Sequence, residues 1–166
     1  MAGRGLPILD LDSVSKYSLS NMRRDEQAAM LRDVGLVPTI QRLAVLDLLC
    51  RTHSHPTADQ LLSAVRKKHP SISRATVYNT LDALTRAGVI LKLTVDPSAT
   101  RYDANLGPHA HFRCRICGKV YDIPARKGWP IDAECDGHRV ETVRTYAYGV
   151  CAACRTDTNA KENRHA

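Results

Sequence analysis

Apolar residues recur at helical spacing in four stretches before position 90, and the pattern then changes. Ala28, Met30, Leu31 and Val34 fall mostly on one side of a first helix that Asn21 can cap, with Gly35 where a C-terminal cap belongs. Thr39 can cap a second helix to about Cys50, with Ile40, Leu43, Leu46 and Leu49 as its apolar face. Pro56 follows in the connection. Thr57 can cap a third helix, with Ala58, Leu61, Leu62 and Val65 on one side and Pro70 beyond its end. Ser73 opens a fourth, with Val77, Leu81 and Leu84 at helical spacing and Gly88 as its stop. Ile90 to Val95 then reads as a strand, Asp96-Pro97-Ser98 as a turn, and Ala99 to Asp103 as the return strand. Short helices followed by a hairpin predict the winged-helix form of helix-turn-helix. In that form the helix before the hairpin is the one that enters a major groove.

Flanking this block, residues 1–21 show no clear periodicity, and Gly3, Gly5 and Pro7 suggest a loose arm. After Gly107-Pro108 the character changes. Short strands are expected at His111–Cys114, Lys119–Ile123 and Arg139–Ala147, with a short helix near Ile131–Asp136. All the cysteines except Cys50 lie in this half, so a boundary is expected near residues 104–108.

Composition narrows the picture. Hydrophobic residues make up 43% and aromatics only 5%, so any core must be mostly aliphatic. Net charge is +7 and the pI about 9.3, which suits a nucleic-acid partner and equally a merely soluble basic protein. Lys67 and Lys68 are read as a solvated helix end. No run approaches the roughly 20 apolar residues that span a bilayer. The first residues lack a basic start with an apolar run, and Asp10 and Asp12 argue against a signal or transit peptide. A cytoplasmic location is therefore expected, where six cysteines are ligands or reduced thiols rather than disulfides.

Cys114-Arg115-Ile116-Cys117-Gly118 and Cys151-Ala152-Ala153-Cys154 are two Cys-x-x-Cys pairs. Two intervening residues let both sulfurs of a pair reach one ion from a tight turn, and Gly118 permits the backbone reversal. Two pairs complete a tetrahedral four-sulfur shell, the usual closed structural zinc site, with no open position for catalysis. Cys50 and Cys135 lie outside the pairs and read as ordinary buried or partly buried thiols.

Several segments together resemble the ferric uptake regulator family. Ser73-Arg74-Ala75-Thr76-Val77-Tyr78-Asn79-Thr80-Leu81 resembles its recognition helix, and His55-Pro56-Thr57-Ala58-Asp59 the segment ahead of its third helix. Arg101-Tyr102-Asp103, His109-Ala110-His111-Phe112-Arg113-Cys114 and Cys117-Gly118-Lys119 resemble its hinge and first cysteine pair. Tyr148-Gly149-Val150-Cys151 resembles the run into the second. By this resemblance the fold is α+β. A winged-helix DNA-binding domain spans 22–103, a hinge 104–108, and a zinc-stapled α/β dimerisation domain 109–155. An arm precedes them over 1–21 and a disordered tail follows over 156–166. The resemblance further implies a homodimer bound to an A·T-rich, inverted-repeat, double-stranded DNA operator, with no membrane partner.

Carried over from the family, the regulatory metal ligands are His55, Asp103, His109, His111 and Asp122. Three imidazoles and two carboxylates form a borderline shell that suits Fe(II), Mn(II) or Zn(II) better than Cu(I). His109 and His111, two apart, share one face of a strand, and Asp103 and Asp122 come from neighbouring predicted strands. A metal held by both halves biases a two-state hinge toward the DNA-competent form. Asp at both carboxylate positions and Asn79 after Tyr78 lean toward the family's peroxide-responsive branch. There, Fe(II) and hydrogen peroxide oxidise a ligand histidine, His55 or His109, and release the operator. An iron-responsive repressor is the alternative. The chain departs from the family at Ala110, within the usual histidine triplet, and at Ile40, where a proline is usual. Near Val143 no histidine offers a third metal site, and the segment between the cysteine pairs is short and carries Pro130, which suggests a stunted dimerisation helix.

On the recognition helix, Thr76, Tyr78 and Asn79 are expected to face the groove, opposite Val77, Leu81 and Leu84. Tyr touches a thymine methyl and Asn pairs with adenine. Ser73, Arg74 and Arg42 are expected on phosphates. Two other function classes are a metal-dependent enzyme and a zinc-ribbon interaction module. No matched nucleophile, base and pocket supports the enzyme.

Overall fold

The computed structural model describes residues 22–124, 134–135, 138–139 and 143–156. The chain divides into two compact units, Met1–Gly107 and Pro108–Ala166.

In the first unit, α1 (Arg24–Asp33), α2 (Ile40–Cys50), α3 (Ala58–Arg66) and α4 (Arg74–Arg86) are followed by β1 (Leu91–Leu93) and β2 (Arg101–Asp103). Local chemistry sets most of their ends. Thr39, Thr57 and Ser73 each accept a hydrogen bond from the backbone N–H three residues on, and Gln60 reaches back to the N–H of Thr57 to complete a capping box. Asn21 lies outside the described residues. The N-cap of α1 is instead Arg23, whose N–H donates to Glu26 at 2.7 Å. Gly35 (φ +74°) and Gly88 (φ +68°) end α1 and α4 in the left-handed conformation. Across them Leu36 N–H reaches the Leu31 carbonyl and Val89 N–H the Leu84 carbonyl, which makes both ends Schellman motifs.

The helices bury an aliphatic core in which Leu31, Val45, Leu46, Val77, Leu81 and Leu84 are wholly inaccessible. Each such side chain contributes about 1.5–3 kcal/mol through its burial. Ile40, expected on the apolar face of α2, is 63% exposed. It occupies the first turn, and the buried face begins one turn later at Leu43. The hairpin is shorter than the alternation predicts and pairs antiparallel, Leu91 opposite Asp103 and Leu93 opposite Arg101. A bridge from Thr57 to Arg101 and a bond from Tyr102 N–H to the Pro56 carbonyl tie the segment before α3 to β2. Helices plus this wing are the winged-helix architecture.

The second unit is built on a three-stranded sheet. β3 (His109–Cys114) pairs antiparallel with β4 (Val120–Pro124) and parallel with β7 (Thr145–Gly149). The helix expected near Ile131–Asp136 is not formed at Glu134–Cys135. Those residues are β5, paired antiparallel with β6 (His138–Arg139). In sequence the intervening dipeptide is Asp-Gly, a strong hairpin signal that outweighs a short apolar run. The expected strand Arg139–Ala147 is accordingly two separate pieces, β6 and β7. Thr156, placed in the tail on sequence, closes a helical turn over 152–156 by donating to the Ala153 carbonyl. The remaining tail and the N-terminal arm lie outside the described residues. Among the described residues no helix is long and apolar enough to cross a membrane.

Candidate metal centre

Cys114 ends β3, and the chain turns at once. Gly118, at φ +68°, donates to the Cys114 carbonyl, and Cys114 N–H donates to Lys119. This reversal brings Cys117 back toward Cys114, while Cys151 and Cys154 arrive from beyond β7. One sulfur from each of the four lies within 4.8 Å of the others. Cys117 and Cys151 are 3.8 Å apart, Sγ to Sγ. Ligands about 2.3 Å from one tetrahedral zinc sit about 3.8 Å from each other, so the spacing fits the ion. Backbone N–H groups prepare the thiolates. Those of Cys117 and then Cys151 hold the Cys114 thiol down at about 6, and the N–H of Cys154 lowers Cys151. The Tyr121 phenol hydrogen-bonds to Cys151, which pushes the phenol up to about 12.

Of the N,O-donor residues, His55 and Asp103 belong to the first unit and His109, His111 and Asp122 to the second. In the first unit His55 is buried, and its Nε2 stands 3.8 Å from Oδ2 of buried Asp103 on β2. His55 has φ +50°, the left-handed region, and precedes Pro56. A non-glycine residue held there costs on the order of 1–3 kcal/mol, and the following proline adds to the restriction. The segment just after it is tied to β2 through the Thr57–Arg101 bridge and the Pro56 carbonyl.

In the second unit, His109, His111 and Asp122 share one face of the β3–β4 pair, because His111 lies opposite Asp122 in the register. The Nε2 atoms of the two histidines are 2.9 Å apart, and Asp122 Oδ1 lies 3.5 Å and 3.9 Å from them. Two nitrogens bound at about 2.1 Å and right angles to one ion would have nearly that separation. Asp103 and Asp122, expected on neighbouring strands, belong to different sheets.

On α4, Val77, Leu81 and Leu84 face the core while Tyr78 and Asn79 are exposed and Thr76 is half-buried. Ser73 and Thr76 hydroxyls are bonded to each other at 2.8 Å. Arg74 and Tyr78 both reach Oδ1 of Asp59 at the start of α3, each at 3.2 Å. Arg42 is half-buried and turned back on the Val37 carbonyl. Cys50 lies in the core, and burial pushes its thiol up to about 12. The Cys135 side chain lies outside the description.

The model of the ferric uptake regulator family matches residues 33–144. The chain belongs to the ferric uptake regulator family. Within it, the chain is 36% identical over 143 residues to the peroxide-responsive repressor PerR of Staphylococcus epidermidis, covering 81% of this chain and 92% of that protein. The PerR of Staphylococcus aureus is 36% identical over 139 residues, covering 79% and 90%. A solved structure of the Campylobacter jejuni peroxide stress regulator is 30% identical, with TM-score 0.58, over 78% of this chain and 97% of that one. The Helicobacter pylori ferric uptake regulator, at 21% identity and TM-score 0.61 over 92% and 97%, shares the fold.

For this member of the ferric uptake regulator family, three residues have contacts that the sequence does not reveal. By sequence Asp59 is only part of a motif, Asp96 a turn former, and Arg101 part of the hinge resemblance. Oδ1 of Asp96 accepts from the Ser98 N–H and hydroxyl, a turn chemistry that Asp two before Ser can signal. The partners of Asp59 and Arg101 lie too far along the chain for any local signal.

Proposed function

We propose that this protein is a homodimeric DNA-binding repressor whose grip on its operator depends on one regulatory Fe(II) or Mn(II), and that peroxide relieves the repression. The carrying observation is the 2.9 Å approach of the His109 and His111 Nε2 atoms beside Asp122. Three such donors would leave a first-row metal short of ligands, and His55 with Asp103 would be the pair that completes its shell. One ion shared by all five would couple a DNA-reading unit to a zinc-stapled one, so loss of a ligand would loosen the coupling. The relatives named as peroxide-responsive repressors support this signal.

In this mechanism Cys114, Cys117, Cys151 and Cys154 hold structural zinc and take no part in sensing. Thr76, Tyr78 and Asn79 read base edges of an A·T-rich inverted repeat, and Ser73, Arg74 and Arg42 meet phosphates. Arg42 must first leave the Val37 carbonyl. Exposed Ile116, Val143 and Tyr148 in the second unit provide apolar surface for self-association. Fe(II), when bound, would supply the chemistry that activates peroxide. The imidazole of His55 or His109 would gain one oxygen, and the rest of the peroxide would leave as water.

The test is a mobility shift on A·T-rich duplex with and without Mn(II), followed by peptide masses after dilute peroxide. Metal-dependent binding, and a gain of about 16 Da on the His55 or His109 peptide with Fe(II) but not Mn(II), are expected. Metal-dependent binding without oxidation would point to an iron-responsive repressor. Absence of DNA binding would remove the regulator reading.

A further inference from the structure

His55 reaches its place through an unusual backbone, and one side chain accounts for how that backbone is held. Arg101 Nη1 donates to the His55 carbonyl at 3.2 Å. Its other face grips Asp96, with Nε at 3.0 Å and Nη2 at 2.8 Å from the same Oδ2. Asp96 is in turn fixed by the N–H and hydroxyl of Ser98 in the turn of the wing. Arg101 is largely buried and Asp96 almost wholly so, which leaves the ion pair little access to water. The guanidinium thus spans three points: the wing turn, strand β2, and the carbonyl of a residue at φ +50°.

We propose that Arg101 is a positioning residue for the regulatory metal. It fixes the His55 backbone so that the imidazole is presented beside Asp103. This rests on the reading of His55 as a ligand. The guanidinium alone among side chains can hold the carboxylate with two donors and offer a third in the same plane. Lysine keeps the charge and one bond to Asp96 but cannot hold the carbonyl in the same geometry. Partners that orient a ligand act on affinity without touching the ion.

The test titrates the full-length, zinc-loaded protein with Mn(II) alone, against a competing chelator, for wild type, Arg101→Lys, Asp96→Asn and His55→Ala. Zinc content and the urea midpoint are measured on each. Arg101→Lys is expected to lose about 10- to 100-fold in Mn(II) affinity with zinc content unchanged. Its urea midpoint should stay closer to wild type than that of Asp96→Asn, because it alone keeps an ion pair. Asp96→Asn leaves the guanidinium in place without its anchor and should weaken Mn(II) in the same direction. Wild-type affinity in Arg101→Lys, with His55→Ala strongly impaired, would overturn this inference alone. Wild-type affinity in His55→Ala would overturn the ligand reading and this inference with it.

Discussion

Tyr78 on α4 donates its phenolic hydrogen to Asp59 on α3 at 3.2 Å, and the same carboxylate oxygen pairs with Arg74 at 3.2 Å. One acidic side chain therefore orders two residues of the helix proposed to read DNA. It also places a negative charge where phosphates would approach. The Arg74–Asp59 pair is exposed, so it adds little to stability. Asp59→Asn is expected to raise affinity for a random-sequence duplex by about two- to fivefold, from one like charge removed. Preference for a duplex selected from a random library should fall, since the Tyr78 hydroxyl then meets a neutral amide oxygen in place of a charged carboxylate. Fluorescence anisotropy on the two duplexes reads both, and equal changes on each would remove the ordering role.

Zinc removal should dismantle the second unit. Cys114→Ser takes away the sulfur best prepared as a thiolate, and binding of a structural zinc contributes on the order of 10 kcal/mol to folding. The expected result is loss of zinc by elemental analysis and loss of hydrogen-exchange protection over β3, β4 and β7. Protection in α2 and α4 should persist, because that unit has its own core. Retained zinc with protected β3 would refute the four-sulfur assignment.

The wing has its own pH dependence. Hydrogen bonds from Ser98, joined by those of Arg101, lower Asp96 from 3.8 to about 2. A carboxyl depressed on folding stabilises the protein above its unfolded value, and that contribution disappears as pH falls through the folded one. Asp96→Asn should therefore lower stability at pH 7 by about 1–3 kcal/mol, the cost of a lost charged hydrogen-bond partner. The gap from wild type should close between pH 4 and pH 2. Urea midpoints followed by a probe in the first unit measure it, and a gap that widened in acid would reverse the assignment.

Cys50 should be inert. Burial in the core pushes its thiol up to about 12, far from thiolate at neutral pH. Iodoacetamide or dilute peroxide should leave the Cys50 peptide unmodified until urea unfolds the first unit. Modification under native conditions would show that the core opens there.

Much of the first unit was legible because its signals are local. Thr39, Thr57 and Ser73 bond to groups three residues away, and Gly35 and Gly88 terminate helices through their own backbone freedom. The two-residue spacing of His109 and His111 likewise announces a shared face. Illegible were features set by tertiary layers. Ile40 fits the helical period, yet the core does not extend to its turn. Asp103 and Asp122 both lie in strands, but nothing in their neighbourhoods assigns those strands to separate sheets. Arg101 and the His55 carbonyl are 46 positions apart, and Tyr78 and Asp59 are 19 apart. No periodicity reaches across such distances, so these contacts emerge only once the fold is formed.

The Cys114–Gly118 reversal is also the bend that joins β3 to β4. Its length sets which residue of one strand faces which of the other. Adding or removing a single position there would turn Asp122 to the opposite side of the sheet, away from His109 and His111. The loop that gathers two sulfurs thereby acts as a ruler for the nitrogen and oxygen donors further along, and the chemistry of the second ion is measured out by the housing of the first.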